Sequence, residues 1–404
     1  MTLLVVLVAL LAVVVAVVAR WRPKFWYLSL PLLGISVAVL VGGGRSPHPE
    51  VGSVVQAIAF LVMAVPLGVL LDELGFFRQL ARRVAPSASP AILWIVASLV
   101  TIVLNLDASV VLLTPLYGRV AIQNGRDPEP YVFQPLLLAL LASSVLPVSN
   151  LTNLIAAGVY HLTPGAFLLH LAPASVIAIV VGYPLWHRSF RGLLGEVTPM
   201  PSSLEGGLSE GASDVRHNVL RIGGTIAIAA IVGFVFGPYV GIAPWEAAGA
   251  LDIVLIAYLR RSPLSMIPYV PAVTVGTAAL AAIELGGRLG TPTHLGGGPV
   301  DVLLIGVVSA VLATVANNIP AISVLVVLLK TEPSVLRWAA LLGVNMGPSL
   351  LVTGSLASIL WLSLASEVGV KIRAMRFATI AVRVSVPCFI LGLLTLTVSM
   401  SVHL

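Results

Sequence analysis

AILWIVASLVTIVLNLDASVVLLTPLY, residues 91–117, is an apolar run that polar residues interrupt at its centre, Asn105–Asp107. A second run, VLLIGVVSAVLATVANNIPAISVLVVLL at 302–329, is interrupted in the same way at Asn317–Asn318. Each arm has only about 9–15 residues, or roughly 14–22 Å of α-helix, which is too short for a ~30 Å hydrocarbon core. Each run is therefore either one membrane span with a polar kink or a re-entrant hairpin.

The composition assigns most of the chain to a lipid environment. Of 404 residues, 58% are hydrophobic and 9% are charged, and the mean hydropathy is +1.07. A soluble domain has roughly a quarter of its residues charged. The single cysteine, Cys388, excludes a disulfide framework and a thiolate metal cage, so no metal or cofactor is expected. The net charge of +6 is scattered between apolar runs, which argues against a nucleic-acid partner.

Other long apolar segments predict the remaining spans. They cover roughly 2–19, 26–41, 53–71, 131–159 and 165–186 in the first half, and 219–240, 246–259, 264–285, 334–365 and 376–400 in the second. The first segment is predicted to be a membrane helix rather than a removable signal peptide, because no basic region precedes it. Between the halves, residues 187–217 are rich in Gly, Ser, Pro and charge and form a linker.

The distribution of arginines favours hairpins over kinks. Arg78, Arg82 and Arg83 precede the first interrupted run, and Arg119 and Arg126 follow it. Positive charge on both flanks places both ends of the run in the cytoplasm, so the run enters and leaves on the same side. When the second run is treated likewise, most of the basic residues of the chain lie in inside loops.

The predicted fold is an all-α polytopic membrane protein built as an inverted repeat. Each half has five spanning helices and one re-entrant hairpin, about ten transmembrane helices in total, with broken helices at the midplane. The predicted parts are a first repeat at 1–186 with its hairpin at about 91–122 and broken helix at about 131–159, a cytoplasmic linker at 187–217, and a second repeat at 218–404 with its hairpin at about 302–330 and broken helix at about 334–365. Both termini are then extracytoplasmic. Such repeats are characteristic of secondary transporters, whose sites lie at the midplane between the repeats.

A second pair of polar interruptions follows the hairpins, and aligning Asn150-Leu-Thr-Asn153 with Ser355-Leu-Ala-Ser358 displays the internal symmetry. Breaks in apolar runs persist only where they are buried in protein or line a wet cavity, so the four breaks are predicted to surround one chamber. The candidate substrate-binding residues are Asn105, Asp107, Ser149, Asn150, Thr152, Asn153, Asn317, Asn318, Asn345, Thr353, Ser355 and Ser358. The alternatives are capping for the asparagines of the tips and helix packing for the serines.

Asp107 is the most specific candidate. A carboxylate at mid-bilayer costs at least ~2.5–3.5 kcal/mol unless it is protonated or paired. We therefore expect Asp107 to carry protons reversibly, with a structural cap at the hairpin tip as the alternative. Asp252 and Arg383 also lie within predicted spans, where they either pair with each other or extend towards the membrane surface.

Five motifs follow one another along the chain, namely Asp72-Glu-Leu-Gly-Phe-Phe77, Leu104–Pro115, Val148–Asn153, Ala316–Pro320 and Gly354–Trp361. In order and spacing this set resembles the bacterial arsenite/antimonite efflux permeases of the ion transporter superfamily. Two positions depart from the pattern of those permeases. Leu106 interrupts the consecutive Asn-Asp expected at the first tip, and Asn345 stands where an acidic residue is expected.

The resemblance implies a transporter of the bacterial cytoplasmic membrane that exports arsenite or antimonite as neutral hydroxides by proton antiport. It also implies a scaffold domain, a transport domain made of hairpins and broken helices, and a homodimer with elevator-like movement. An ATPase subunit is a partner that the sequence leaves open. The alternatives are a sodium (cation)/proton antiporter or an organic-anion carrier on the same scaffold, and a channel. An enzyme is not expected, because neither His-Glu-x-x-His nor Gly-x-Ser-x-Gly occurs.

Overall fold

The computed structural model describes residues 50–77, 79–80, 89–194, 213–261, 267, 269–289, 295–350 and 355–402. The predicted spans at 2–19 and 26–41, the candidate residue Thr353 and most of the predicted linker lie outside these ranges.

Sixteen α-helices and no strand are found in the described residues. The helices of the first half are α1 Glu50–Glu73, α2 Pro90–Leu104, α3 Leu106–Gln123, α4 Pro128–Leu141, α5 Leu151–Tyr160, α6 Pro164–His170, α7 Ala172–Ser189 and α8 Arg191–Leu194. Those of the second half are α9 Ser213–Phe236, α10 Pro244–Leu259, α11 Tyr269–Leu289, α12 Pro299–Ala316, α13 Asn318–Leu328, α14 Ser334–Met346, α15 Leu356–Glu367 and α16 Ala374–Val402. Short 3₁₀ turns at Pro147–Ser149, Gly237–Val240 and Gly347–Leu350 separate some of them.

Several of these helices are long and apolar enough to cross a membrane. Within the described ranges they are Glu50–Glu73, Asn218–Val240, Pro299–Ala316 and Ala374–Met400, together with the bent pair α6 and α7. Large apolar side chains such as Ile228, Phe236 and Ile253 point outwards and are exposed, as expected of a surface that faces lipid. The prediction of an all-α polytopic membrane protein is confirmed.

The predicted single span at 165–186 is bent. Helices α6 and α7 meet at Leu171 with an angle of 54° between them. Pro173, in the first turn of α7, has no N–H to donate to the preceding turn, so the helix cannot continue straight through this point. The apolar segment predicted at 165–186 is therefore formed by two helices with a bend between them.

The first interrupted run folds back on itself as a hairpin. The Tyr117 hydroxyl donates to the Leu93 carbonyl at 2.6 Å, although the two residues are 24 positions apart. Closer to the tip, the hydroxyl oxygens of Thr101 and Ser109 lie 2.7 Å apart. A straight helix would separate Leu93 and Tyr117 by about 36 Å. The arms α2 and α3 therefore run antiparallel, and the hairpin interpretation of this run is confirmed.

The second interrupted run is also a hairpin, because its two outer ends meet. The backbone N–H of Leu295, just before α12, donates to Oε2 of Glu332, just after α13, at 3.0 Å. Gly297 likewise lies against Pro333. If the run from Pro299 to Leu328 were one straight helix, it would be about 45 Å long and would hold the segments at its two ends at least that far apart.

Contacts between the two halves follow a symmetric pattern. The second arm of the first hairpin, α3, packs against α15 of the other half, and the second arm of the second hairpin, α13, packs against α5. The long helices α7 and α16 pack against each other. Each hairpin is thus held against the short helix that follows the break in the opposite half.

Among the described residues, two ion pairs join the ends of helices that are far apart in the sequence. Glu129 Oε1 lies 2.6 Å from Nε of Arg376, and both residues belong to loops predicted to be cytoplasmic. Glu50 Oε1 lies 2.7 Å from Nζ of Lys330, and these residues belong to loops predicted to be outside. Each pair therefore links loops that the arginine-based topology places on one side of the membrane.

The close approach of α12 and α14 depends on glycine. A Cβ added at Gly343 would fall within contact distance of the Gly306 carbonyl oxygen and of Ser309. We expect Gly343→Ala to destabilise the purified protein by about 1–3 kcal/mol, because backbone must shift to relieve the overlap. A fall of several degrees in thermal unfolding in detergent would show this. Gly52→Ala is the control, because nothing lies within 4 Å of its added Cβ; equal melting of the two variants would contradict the prediction.

Candidate functional site

The two hairpin tips have the same backbone design. Asn105 has φ 132° and ψ 153°, and Asn317 has φ 84° and ψ 151°, a region that residues other than glycine rarely occupy. In both, side-chain Oδ1 accepts a hydrogen bond from the backbone N–H two residues on, at 2.6 Å from Asp107 and 3.1 Å from Ile319. Such backbone strain costs about 1–3 kcal/mol and is found at functional sites. The capping alternative is thus realised at both tips, and substrate contact by these asparagines stays a prediction.

The tips differ in which position of the first helical turn is polar. Asp107 is the second residue of α3, whereas the second residue of α13 is Ile319. The first residues are Leu106 and Asn318, so polar and apolar residues are exchanged between the tips. Asp107 is 8% exposed and lies at the positive end of the α3 dipole, where an ionised carboxylate is favoured.

The break in the first half lies against the tip of the first hairpin. The hydroxyl of Ser149, at the end of the 3₁₀ turn Pro147–Ser149, donates to the Ile102 carbonyl at 2.7 Å. Asn150 then caps α5, because its Oδ1 accepts from the Thr152 N–H at 3.2 Å. The break of the first half therefore lies against the C-terminal end of α2, close to the hairpin tip.

Asn345, in the last turn of α14, connects the second half to this break. Its Oδ1 accepts from Asn150 Nδ2 at 3.0 Å and from the Thr152 hydroxyl at 2.6 Å. Its Nδ2 donates to the Ser144 hydroxyl at 3.0 Å and to Asn153 Oδ1 at 2.7 Å. These four bonds satisfy both donors and both lone pairs of the amide. With 1% exposure, Asn345 joins the two halves, and its hydrogen-bonding groups are fully used in this state.

The break in the second half has a similar but smaller set of bonds. Ser355 Oγ accepts from the Ser358 N–H at 3.1 Å and lies 2.8 Å from the Ser358 hydroxyl. Thr314, in the last turn of α12, donates to the Gly347 carbonyl at 2.9 Å and so ties the second hairpin to this break. Ser355 is the symmetry mate of Asn150, and both serve as helix caps.

The structure brings together the candidates Asn150, Thr152, Asn153 and Asn345 in one network, with Ser149 beside the first tip. Sequence reasoning missed Ser144 and Thr314. Ser144 lies in an apolar run shortly before the break, which is a usable signal, whereas Thr314 lies in a helix with nothing in its pattern to mark it.

The proposed pairing of Asp252 with Arg383 is absent from the described residues. Arg383 is exposed on α16, whereas Asp252 is buried on α10. The exposure of Arg383 agrees with the other interpretation, in which its head group extends towards the surface.

A cavity of about 340 Å³ lies between α1, α5 and the loop that joins α9 to α10. It is lined by Gln56 and Phe60 of α1, by Pro147 of the first break, by Gly241 of the loop and by Trp245 in the first turn of α10. Because Pro147 precedes Ser149 by two residues, this cavity leads from a loop to the neighbourhood of the polar network.

The network consists of amides and hydroxyls, and the one carboxylate among the candidate residues, Asp107, lies at the first hairpin tip. None of the candidate residues is basic. In the described part of the chain, no three His, Cys, Asp or Glu side chains are grouped closely enough to hold a metal ion.

A family comparison classifies this arrangement. The sequence model of the family described as citrate transporter matches residues 1–343, which is most of the chain. The chain belongs to the citrate transporter family. Residues 295–400 of the chain also match the family described as arsenical pump membrane protein.

Curated relatives extend the second match to the whole chain. The arsenical pump membrane protein of Yersinia enterocolitica is 24% identical, covering 97% of this family member and 98% of the relative. That of Escherichia coli K12 is 23% identical, covering 96% and 97%. An uncharacterised transporter of Mycobacterium tuberculosis is 24% identical over 84% and 86%. The predicted resemblance to the arsenite permeases of the ion transporter superfamily is confirmed.

A solved structure supports the fold. The YdaH transporter of Alcanivorax borkumensis, whose topology is described as unusual, superposes with a TM-score of 0.55 at 16% identity. The match covers 100% of this family member and 98% of that chain. The protein is thus an integral membrane transporter.

The Asn345 network can be tested by removing its two donated bonds. We expect Asn345→Asp to destabilise the protein by about 1–3 kcal/mol, because Asn153 Oδ1 and Ser144 lose their donor and a carboxylate meets the Asn153 carbonyl oxygen. Thermal unfolding of purified protein measures the change. Asn124→Asp, at an exposed helix end, is the matched control; if both variants melt like the wild type, the amide at 345 is not required for folding.

Proposed function

We propose that this protein is a secondary active transporter that exports arsenite and antimonite as neutral trivalent hydroxides in exchange for protons. The observation that carries the proposal is the combination of a buried carboxylate, Asp107, at the first hairpin tip with four buried helix N-termini, two in each half, that amide and hydroxyl side chains cap. The relatives named arsenical pump membrane protein, which match over nearly their whole length, support this substrate class.

The chemistry of the site suits a neutral hydroxide. Such a solute has three O–H donors and three oxygen acceptors, and amide and hydroxyl side chains both donate and accept. The one cysteine of the chain, Cys388, is buried within α16 and belongs to none of the four breaks. The site therefore offers hydrogen bonds, which release the solute readily, rather than a thiolate that would retain it.

Coupling to protons is assigned to Asp107. A neutral solute gains nothing from the membrane potential, so its outward accumulation needs exchange with an ion that moves inwards. Ionised Asp107 accepts hydrogen bonds from the solute, and protonation weakens this acceptance and turns one oxygen into a donor. Solute and proton therefore bind in competition, and by linkage each lowers the affinity of the site for the other.

The movement we propose is elevator-like, in a homodimer. The first repeat 1–186 and the second repeat 218–404, joined by the cytoplasmic linker 187–217, each contribute a hairpin and a broken helix to a transport domain, and the other helices form the scaffold. Gly158 of α5 lies against Ser53 of α1, and Gly286 of α11 lies against Val324 of α13. Small residues at these contacts leave smooth surfaces along which the two domains slide.

A citrate or other organic-anion carrier is the second candidate, because the citrate transporter family matches residues 1–343. The capped N-termini of α3, α5, α13 and α15 could receive carboxylates through their N–H groups. Against this candidate, none of the site residues is basic, and Asp107 would repel an anion. The cation/proton antiporter of the same superfamily is a third option, with Asp107 as its cation ligand.

Transport into everted membrane vesicles separates the three candidates. We expect arsenite uptake that an uncoupler abolishes, because the vesicles turn outward export into inward uptake. Uptake of arsenite that is insensitive to the uncoupler would contradict proton antiport. Citrate uptake without arsenite uptake would favour the organic-anion carrier, and sodium-dependent collapse of the pH gradient would favour the antiporter.

The role of Asp107 is tested by Asp107→Asn in an arsenite-sensitive bacterial host. We expect a loss of at least about tenfold in uncoupler-sensitive uptake and a loss of resistance, since an amide cannot exchange protons. Asp127→Asn is the matched control, because Asp127 also caps a helix, accepting from the Glu129 N–H at 2.8 Å, and an amide oxygen can replace it. Equal resistance from Asp107→Asn and wild type would remove Asp107 from the mechanism.

The elevator movement is tested at the ion pair between Glu50 of α1 and Lys330, which follows α13. These residues lie on the proposed scaffold and transport domains. In a Cys388→Ala background, we expect Glu50→Cys with Lys330→Cys, bridged by a short bifunctional thiosulfonate, to lose most transport and to regain it on reduction. Each single cysteine variant treated alike is the control. Full transport by the bridged protein would show that these domains do not move apart.

A further inference from the structure

A second cavity lies away from the polar network, between α1 and α10. Its volume is about 520 Å³, within the roughly 300–1,000 Å³ typical of small-molecule sites. Val62, Met63 and Pro66 form its α1 wall. Its remaining lining consists of Trp245, Glu246, Gly249, Ala250, Asp252, Ile253, Ile256 and Ile267. The described lining is therefore mainly apolar, and its charged side chains are acidic.

Asp252 is the unusual group in this lining. It is 5% exposed, and its Oδ1 has no hydrogen-bond partner within the described ranges. A buried carboxylate without a donor is costly, because neither water nor protein replaces its lost hydration. Within the described residues, no hydrogen bond to Oδ1 explains the retention of a carboxylate at this position, and this is the pattern expected of a residue that binds a ligand.

Backbone on the opposite wall adds a second acceptor. Pro66 lies within α1, and having no N–H it cannot donate to the carbonyl of Val62 one turn earlier. Val62 and Pro66 both line the cavity, so this acceptor lies on the wall that faces α10. The indole of Trp245 offers a π face, which also attracts positive charge.

We propose that this cavity binds a lipophilic organic cation, such as a quaternary ammonium or phosphonium with alkyl or aryl arms, with Asp252 as its counter-ion. The arms fill the apolar walls, and the charge lies between Asp252 and Trp245. A hard inorganic cation fits less well, because it needs about six oxygen ligands, more than this lining provides. A phospholipid head group also fits less well, because its phosphate would meet the negative side chains of Asp252 and Glu246, and none of the described lining residues is basic.

The test uses tetraphenylphosphonium as the probe and the full-length protein in nanodiscs. We expect saturable binding by calorimetry, at least tenfold weaker in Asp252→Asn. Glu246→Gln is the control; its carboxylate is exposed and accepts from the Ala243 N–H, a bond that an amide oxygen can keep, so we expect less than a twofold change. Equal affinity in wild type and Asp252→Asn, or equal binding of uncharged triphenylphosphine oxide, would overturn the proposal.

A second variant distinguishes ligand binding from a structural role. Asp252→Leu should lose the probe yet melt at or above the wild-type temperature, because it removes a buried carboxylate whose Oδ1 has no hydrogen-bond partner among the described residues. A lower melting temperature together with lost binding would assign Asp252 a structural role and overturn the proposal. Arsenite transport by Asp252→Asn should match that of the wild type, which keeps this site separate from the proposed export pathway.

Discussion

Every backbone N–H that a broken helix leaves unpaired inside a bilayer needs an acceptor from the protein, because lipid supplies none. The transporter meets this constraint at four places with a single short side chain each. Asn105, Asn150, Asn317 and Ser355 each accept from an N–H in the first turn of the helix that follows. With this bond made, each helix starts inside the protein, and its remaining N–H groups and positive dipole end become available for chemistry. The site exists because these four caps permit four helix N-termini to be buried.

The symmetry of the caps contrasts with the asymmetry of the chemistry around them. Both tips place an asparagine in a backbone conformation that favours glycine, yet only the first tip has a carboxylate at the second helical residue. The single linking amide, Asn345, comes from the second half and is bonded entirely to the first. The two halves thus share a backbone framework but differ in their side chains. The first half has the carboxylate at its tip, and the second half supplies the amide that completes the hydrogen bonds.

Local patterns in the sequence predicted the hairpins and breaks, whereas contacts between residues far apart in the sequence could not be predicted. Polar residues in an apolar run, together with arginines on both flanks, were enough to predict the first hairpin, because both signals are local. The hydrogen bonds of the Asn345 side chain could not be predicted, because its partners lie 192 to 201 positions away and depend on how the halves pack. The same reason explains the unconfirmed pairing of Asp252 and Arg383, since helix periodicity does not reveal which helices adjoin. The bend at Leu171 was overlooked because Pro173 lies inside an unbroken apolar run.

The Asn345 network also limits how the molecule can move. Its bonds run between Ser144, Asn150, Thr152 and Asn153 of the first half and α14 of the second. Separating these elements would break the four hydrogen bonds of Asn345 and leave their polar groups buried without partners, at about 1–3 kcal/mol each. This cost is too high for a frequent step in a transport cycle. By contrast, α1 approaches α5 closely at Gly158, and α11 approaches α13 closely at Gly286, so no side chain of these glycines stands between the helices. The elevator-like movement proposed above would therefore place the displacement along α1 and α11 and carry the polar network as one body.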